Sequence, residues 1–143
     1  MKDKSDTVIL IVEDEGLIAL EMMEFLTREG YRVLDPVSSG EEAIERCLNS
    51  PRPDLILMDV LLLGRIDGIE AAHRIRERFP IPVIILTACE HGKIGIRLKE
   101  LAPEGYLVKP STREELLAAI SLVLQSQERK NSAKMGGRQF GDS

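Results

Sequence analysis

Four short runs of strand-forming residues in this chain end on side chains that can do chemistry. Thr7–Val12 runs into Glu13 and Asp14, Leu55–Met58 into Asp59, Val83–Leu86 into Thr87, and Gly105–Val108 into Lys109. Taken singly these residues say little. An Asp at a strand end is most often a cap or turn former, and an acidic stretch such as Glu13-Asp14-Glu15 can be no more than favourable charge at a helix start. On one shared edge they would mean more. Crowded carboxylates repel and raise one another's pKa, and a hard divalent cation relieves that repulsion. Mg2+ takes oxygen ligands, keeps some of its waters, and typically binds one or two carboxylates together with a phosphate. Lys109, a point charge on a flexible stem, can then reach one phosphoryl oxygen, and Thr87 can donate a hydrogen bond to another. The set fits positioning and charge neutralisation for phosphoryl transfer, with Asp59, on the central run, as the carboxylate that takes the phosphoryl group.

The surrounding elements must bring these residues together. Leu55–Asp59 and Thr7–Val12 are apolar without alternation, the pattern of strands covered on both faces. Leu17, Ile18, Met22, Phe25 and Leu26 recur at helical spacing, and Gly30 stops that helix. Tyr31–Val37 reads as a short strand. Ser39-Gly-Glu-Glu42 has capping-box spacing ahead of Ala43, Ile44, Cys47 and Leu48, in which the Ser hydroxyl and the Glu carboxylate each satisfy a first-turn N–H. Asp67-Gly-Ile-Glu70 repeats that spacing, and Thr112-Arg-Glu-Glu115 opens the last helix, each ahead of a further apolar face. Gly92 and Gly95 each cost a helix interior about 1 kcal/mol relative to Ala, so residues 90–101 predict a short or late-starting helix. Five strand–helix units in regular alternation predict an α/β fold, a flavodoxin-like five-stranded parallel sheet in the order 2-1-3-4-5 with helices on both faces. In such a sheet the ligand crevice lies outside the carboxyl ends of the strands, where strand order reverses between strands 1 and 3. That places Glu13, Asp14, Asp59, Thr87 and Lys109 on one rim. No G-x-G-x-x-G follows the first strand and no P-loop is present, which disfavours a dinucleotide or nucleoside triphosphate site.

Composition narrows the partners. The net charge is −5, with −7 on residues 1–125 and +2 on residues 126–143. An acidic body argues against sequence-independent binding of nucleic acid. No stretch approaches the roughly 20 apolar residues of a membrane span, and the N-terminus lacks the apolar core of a signal peptide. Cys47 and Cys89 lack metal-ligand spacing and read as ordinary thiols of a cytoplasmic protein, a disulfide between them being unsupported. Aromatic residues make up 3% of the chain, too few to stack on a flavin. One domain is expected over residues 7–124, with a disordered N-terminus at 1–6 and a polar, disordered tail at 125–143.

The pieces VILIVEDE, LILMD, DGIEAA, PVIILTA and GYLVKP, in this order and spacing, resemble the receiver domain of two-component response regulators (CheY-like) over about residues 7–124. The resemblance implies that Asp59 is the phosphoacceptor, that Asp14 ligates Mg2+ directly with Glu13 acting through water, and that the backbone carbonyl of Leu61 is a further ligand. It implies that Thr87 is the switch hydroxyl, Lys109 the phosphate-binding lysine, and Tyr106 the aromatic that turns inward on activation, and that the Lys109–Pro110 bond is cis. The loop after Asp59, VLLLGRIDG, is one residue longer than the commonest form and lacks its Met-Pro. Leu61 and Cys89 fall at the two variable positions that flank the phosphoryl group. Neither can orient an attacking water well, which predicts slow hydrolysis.

A sensor histidine kinase is the implied phosphoryl donor. A downstream protein, or a second copy in a homodimer, would meet the face from residue 90 to Leu124. Neither nucleic acid nor membrane is an expected direct partner. Such a domain is a phosphorylation-controlled switch that catalyses only its own phosphorylation and dephosphorylation. Eighteen residues follow Gln125, too few for a DNA-binding module, so the expectation is a stand-alone receiver, a relay component or a fragment of a longer chain. Lys93 and Arg97, one helical turn apart, could meet an acidic partner or form a solvated basic face. Two alternatives have different chemistry: an unphosphorylated receiver-like interaction module, and a Mg2+-dependent phosphatase with an aspartyl nucleophile. The second needs an acid near the nucleophile, and Val60, Leu61, Leu62 and Leu63 offer none.

Overall fold

The apolar runs become strands because each is covered from both sides. The computed structural model describes residues 2–141, and the side chains of residues 2–133. Val8–Val12 (β1), Arg32–Val33 (β2), Leu55–Asp59 (β3), Val83–Thr87 (β4) and Gly105–Val108 (β5) form one parallel sheet in the order β2-β1-β3-β4-β5. Every residue of β1, β3 and β4 is buried, the reason their sequences do not alternate. Side chains still alternate between the two faces. Leu10, Val12, Ile56, Met58 and Ile85 pack against the helices Gly40–Cys47 (α2), Gly68–Arg78 (α3) and Gly92–Leu101 (α4). Ile9, Ile11, Leu55, Leu57 and Leu86 face Gly16–Arg28 (α1) and Arg113–Gly141 (α5).

The register brings the carboxyl ends level. Val12 lies opposite Met58, Asp59 opposite Leu86, and Thr87 opposite Val108. Sequence signals at the helix ends work mostly as expected. Gly30 takes φ +105°, and the Gly30 and Tyr31 N–H groups donate to Thr27 O and Leu26 O, the paired bonds of a Schellman cap. Thr112 and Glu115 complete a reciprocal capping box at 3.0 and 3.2 Å. At α2 only half the box forms: Ser39 Oγ accepts from Glu42 N at 3.1 Å, while the Glu42 carboxylate accepts from the Ser38 and Ser39 hydroxyls instead of an N–H.

Three boundaries differ from the sequence reading. Strand β2 is two residues, not Tyr31–Val37, because Pro36 has no N–H to pair and only Val37 rejoins β1, as a bridge to Val12. The expected disorder at 1–6 gives way to one 3-10 turn at Lys4–Asp6, with Lys2 Nζ 2.7 Å from Asp54. The expected disordered tail from 125 onward is helical in the described residues, as α5 runs to Gly141. Gln, Glu, Arg, Lys and Ala from 125 to 134 are good helix formers, with no Gly or Pro among them. Residues 1, 142 and 143, which that expectation also covered, lie outside the described residues.

Candidate functional site

Glu13 and Asp14 leave the end of β1, and Asp59 closes β3 beside them. One carboxylate oxygen from each of the three lies within 4.8 Å of the others. Glu13 is held in place by its own N–H, which donates to Val37 O at 2.9 Å. Its carboxylate is buried. Oε2 accepts from Glu15 N at 3.3 Å, whereas Oε1 has no hydrogen-bond partner among the described residues. Burial, and then the charge of Asp59, push the Glu13 pKa up to about 7, against the pull of the Glu15 N–H. Asp59 is 7% exposed and ion-paired with Lys109 Nζ at 3.1 Å; the same ammonium stands 3.5 Å from Glu13 Oε1. Burial works to lower the Lys109 pKa, but the hydrogen bond and charge of Asp59, with the charge of Glu13, outweigh it and hold the ammonium protonated.

One ammonium against three clustered carboxylates leaves a negative excess, and among the described residues the buried Glu13 Oε1 has only that ammonium, 3.5 Å away, beside it. That donor set, all hard oxygen, fits a Mg2+ ion. A cavity of about 670 Å3 lies at the opposite rim, lined by Arg52, Phe79 and Leu124 among others, away from the carboxylates.

The remaining expected residues divide. Lys109 is fixed by its N–H, which donates to Thr87 O at 2.7 Å, and the Lys109–Pro110 bond is cis as the resemblance implied. The Thr87 hydroxyl does not point at the carboxylates: it donates to Cys89 O at 2.7 Å and accepts from Cys89 N at 3.2 Å. Tyr106 is turned outward, 48% exposed, its hydroxyl donating to Glu90 Oε2 at 3.0 Å. The side chain of Leu61 is 72% exposed, so only its backbone can serve the site. Arg97 is not a free basic group for a partner, since it pairs through both terminal nitrogens with Asp67, at 2.6 and 2.8 Å. Both cysteines are free thiols, Cys47 buried and Cys89 exposed.

Sequence reasoning missed the residues that hold the loop after Asp59. A Cβ on Gly68 would come within 1.9 Å of the Asp59 carbonyl oxygen, so Gly68 is needed for α3 to start directly beneath the candidate acceptor. Gly68 N–H also donates to Val60 O at 2.8 Å. Asp67 caps α3 by accepting from Glu70 N at 3.0 Å while pairing with Arg97, which holds its pKa below the usual carboxylate range despite partial burial. From the other side, Glu41 on α2 accepts from Arg65 N at 3.1 Å and Ile66 N at 3.4 Å. The Asp-Gly pair is visible as a helix start; its second use, close approach to a carbonyl, has no signal in one sequence.

Comparison with known proteins places this arrangement in a family. A family model described as the response regulator receiver domain matches residues 9–121. Transcriptional regulatory protein PdtaR of Mycobacterium tuberculosis is 37% identical over 116 residues, 81% of this chain and 56% of that protein. Response regulator ArlR of Staphylococcus aureus is 37% identical over 131 residues, 92% of this chain and 58% of that protein. The chain thus spans just over half the length of these relatives. Among solved structures, the N-terminal domain of a response regulator/sensory box/GGDEF three-domain protein from Carboxydothermus hydrogenoformans superposes with a TM-score of 0.78 at 31% identity, covering 87% of this chain and 98% of that one. The receiver domain of a modulated diguanylate cyclase from Desulfovibrio desulfuricans superposes at 0.77 with 35% identity, covering 86% and 97%. With the sheet order, the acidic rim and the family match in agreement, this chain belongs to the receiver domains of response regulators.

Proposed function

We propose that the chain accepts a phosphoryl group on Asp59 from the phosphohistidine of a sensor histidine kinase, using Mg2+ held by Glu13, Asp14, Asp59 and the Leu61 carbonyl. The observation that carries this reading is the triad of carboxylate oxygens within 4.8 Å of one another, with an ammonium 3.1 Å from the central one. Bound Mg2+ supplies charge neutralisation between the carboxylates and the incoming phosphoryl oxygens. An Asp59 oxygen attacks phosphorus as the P–N bond to the donor imidazole breaks, and the acyl phosphate forms on Asp59. Lys109 exchanges its Asp59 contact for a phosphoryl oxygen. The Thr87 hydroxyl gives up the Cys89 carbonyl to donate to another, and Tyr106 leaves Glu90. The modification thereby biases two arrangements of the segment from Thr87 to Tyr106, and a downstream protein or a second copy reads the change on the 90–124 face.

Incubation with Mg2+ and acetyl phosphate should add one phosphoryl group to the wild type and none to Asp59→Asn by intact mass. Absence of the adduct in a wild type shown to bind Mg2+, with acetyl phosphate and with a phosphorylated kinase, would refute the reading. With apolar Leu61 and the thiol of Cys89 flanking the acceptor, the adduct should persist for minutes or longer; decay within seconds in Mg2+ would contradict that assignment.

A further inference from the structure

The loop of residues 60–67 has to present the Leu61 carbonyl to the carboxylates; Val60 is buried and Leu62 and Ile66 pack against the core, but the tip is open. Leu61 and Leu63 are 72% and 59% exposed. What grips the tip is the first turn of α2. Gly64 takes φ +97°, and the two N–H groups that follow, Arg65 and Ile66, converge on the Glu41 carboxylate. Successive N–H groups beside a left-handed residue form an anion-binding concavity. Here a side chain of the same molecule fills it. The fit is close: a Cβ on Gly64 would lie 2.5 Å from Glu41 Oε2, so the carboxylate occupies the space a side chain would need. Gly64 is thus constrained by its conformation, and the carboxylate end of Glu41 lies directly beside it. The Ile66 side chain packs where a Cβ on Gly40 would stand, at 2.9 Å, and Leu63 bridges to Ser39. Three consecutive residues of α2's start, Ser39, Gly40 and Glu41, therefore seat this loop.

We infer that Glu41 is a positioning residue for the metal site: by filling the Gly64–Ile66 concavity it fixes the loop that carries the Leu61 carbonyl. The inference rests on the proposed Mg2+ reading, in which that carbonyl is a ligand. Upstream, the chain is fixed at Val60, whose N–H donates to Leu86 O and whose carbonyl accepts from Gly68 N. Downstream, it is fixed by Leu62 and Ile66 against the core, by the Leu63–Ser39 bridge and, at Arg65 and Ile66, by Glu41. Leu61 lies between the two anchors. If the Glu41 contact is released, the carbonyl loses part of its orientation while the three carboxylates, carried by β1 and β3, keep theirs. The longer, Gly-containing form of this loop thereby has a reason: the added length is folded onto α2 through Glu41. Glu42, the neighbouring acid, serves the helix cap and leaves Glu41 free for this contact.

The test is Mg2+ affinity by isothermal titration calorimetry on the full chain, for wild type, Glu41→Gln and Glu45→Gln. The second variant removes the same charge one turn along α2, from an exposed side chain. Outer contacts that orient ligands commonly matter 10- to 100-fold for affinity; for one carbonyl among several ligands, Glu41→Gln should weaken Mg2+ binding about three- to tenfold. Glu45→Gln should stay within about twofold, the size of a general charge effect near a rim screened by salt. Thermal unfolding of the metal-free variants should match wild type, and the Arg65 and Ile66 amide proton resonances should shift upfield in Glu41→Gln alone. Equal affinities for the two variants would overturn the inference and leave the metal site standing. A wild type that binds no Mg2+ would overturn both.

Discussion

Two loops leave neighbouring strands at the same rim and are built in opposite ways. The one after β3, residues 60–67, is tied to its surroundings from both sides: to α2 through Glu41, to α4 through Asp67 and Arg97, and to its own strand end through Gly68. The one after β4, residues 88–91, is tied mostly to itself. Thr87 bonds Cys89, Cys89 Sγ meets His91, and the hydroxyl of Tyr106 reaches Glu90 at the surface. Helix α4 then begins with no side-chain cap at His91, and a Cβ on Gly92 would meet nothing within 4 Å. Bonds of the second kind can be exchanged for bonds to a phosphoryl group at little cost, because solvent and local backbone offer equivalents. Those of the first kind tie the loop to other elements, so exchanging them moves it against α2, α3 or α4. A rim that must bind an ion in a fixed geometry and also change shape needs both.

Substitutions can break this contrast. The largest effect is expected at Gly68→Ala, where the new methyl meets a backbone carbonyl that cannot move without disturbing Asp59; destabilisation should be about 3 kcal/mol or more by urea unfolding. Asp67→Ala removes the cap of α3 and strands Arg97; a loss of about 1–2 kcal/mol is expected from the cap. If either variant unfolds like wild type, the loop after β3 is not rigidly held. At the other loop, Tyr106→Phe and Glu90→Gln should leave the unfolding midpoint unchanged while shifting the populations of the Thr87–Tyr106 segment, seen as altered amide resonances there. A clear loss of stability in either would mean that this region is held as firmly as its neighbour.

A subtler effect concerns pH. Glu13 keeps its proton in the metal-free folded state up to about pH 7, but releases it near 4.5 when unfolded. Between those values the folded state binds more protons than the unfolded one, so this group's contribution to stability falls as pH rises from about 4.5 to 7. Glu13→Gln should flatten that part of the profile, and Mg2+ should oppose it by favouring the ionised form. A profile unaffected by Glu13→Gln would show that the carboxylate is better solvated than its burial implies.

Much of this is legible in the residues. Unbroken runs such as Leu55–Met58 declare strands buried on both faces, and the alternation of five units restricts the sheet order, which in turn sets Glu13, Asp14, Asp59 and Lys109 on one edge. That inference needs only chain order and the right-handed crossover. Helix stops at Gly30 and Pro80 are equally plain. What stays hidden depends on packing between distant segments. Glu41 looks like a redundant acid beside a capping residue, and nothing local says that Arg65 and Ile66 will turn their N–H groups toward it. Arg97 looks like a solvated cation because its partner is 30 residues away and one helix over. The helical extension of α5 escapes a reading that equates polarity with absence of structure, although residues 125–134 have good helix propensity.

The most direct test of the two-loop contrast is amide hydrogen exchange on the full chain with Mg2+, before and after phosphorylation of Asp59 by acetyl phosphate. A fixed first loop and an exchangeable second one predict that protection at Arg65, Ile66 and Gly68 is high beforehand and nearly unchanged afterwards, while Cys89 and its neighbours through residue 96 change. Large changes at Arg65 and Ile66, with residues 89–96 unaffected, would contradict it: the loop after β3 would then be the moving part, and the segment after β4 only a bystander.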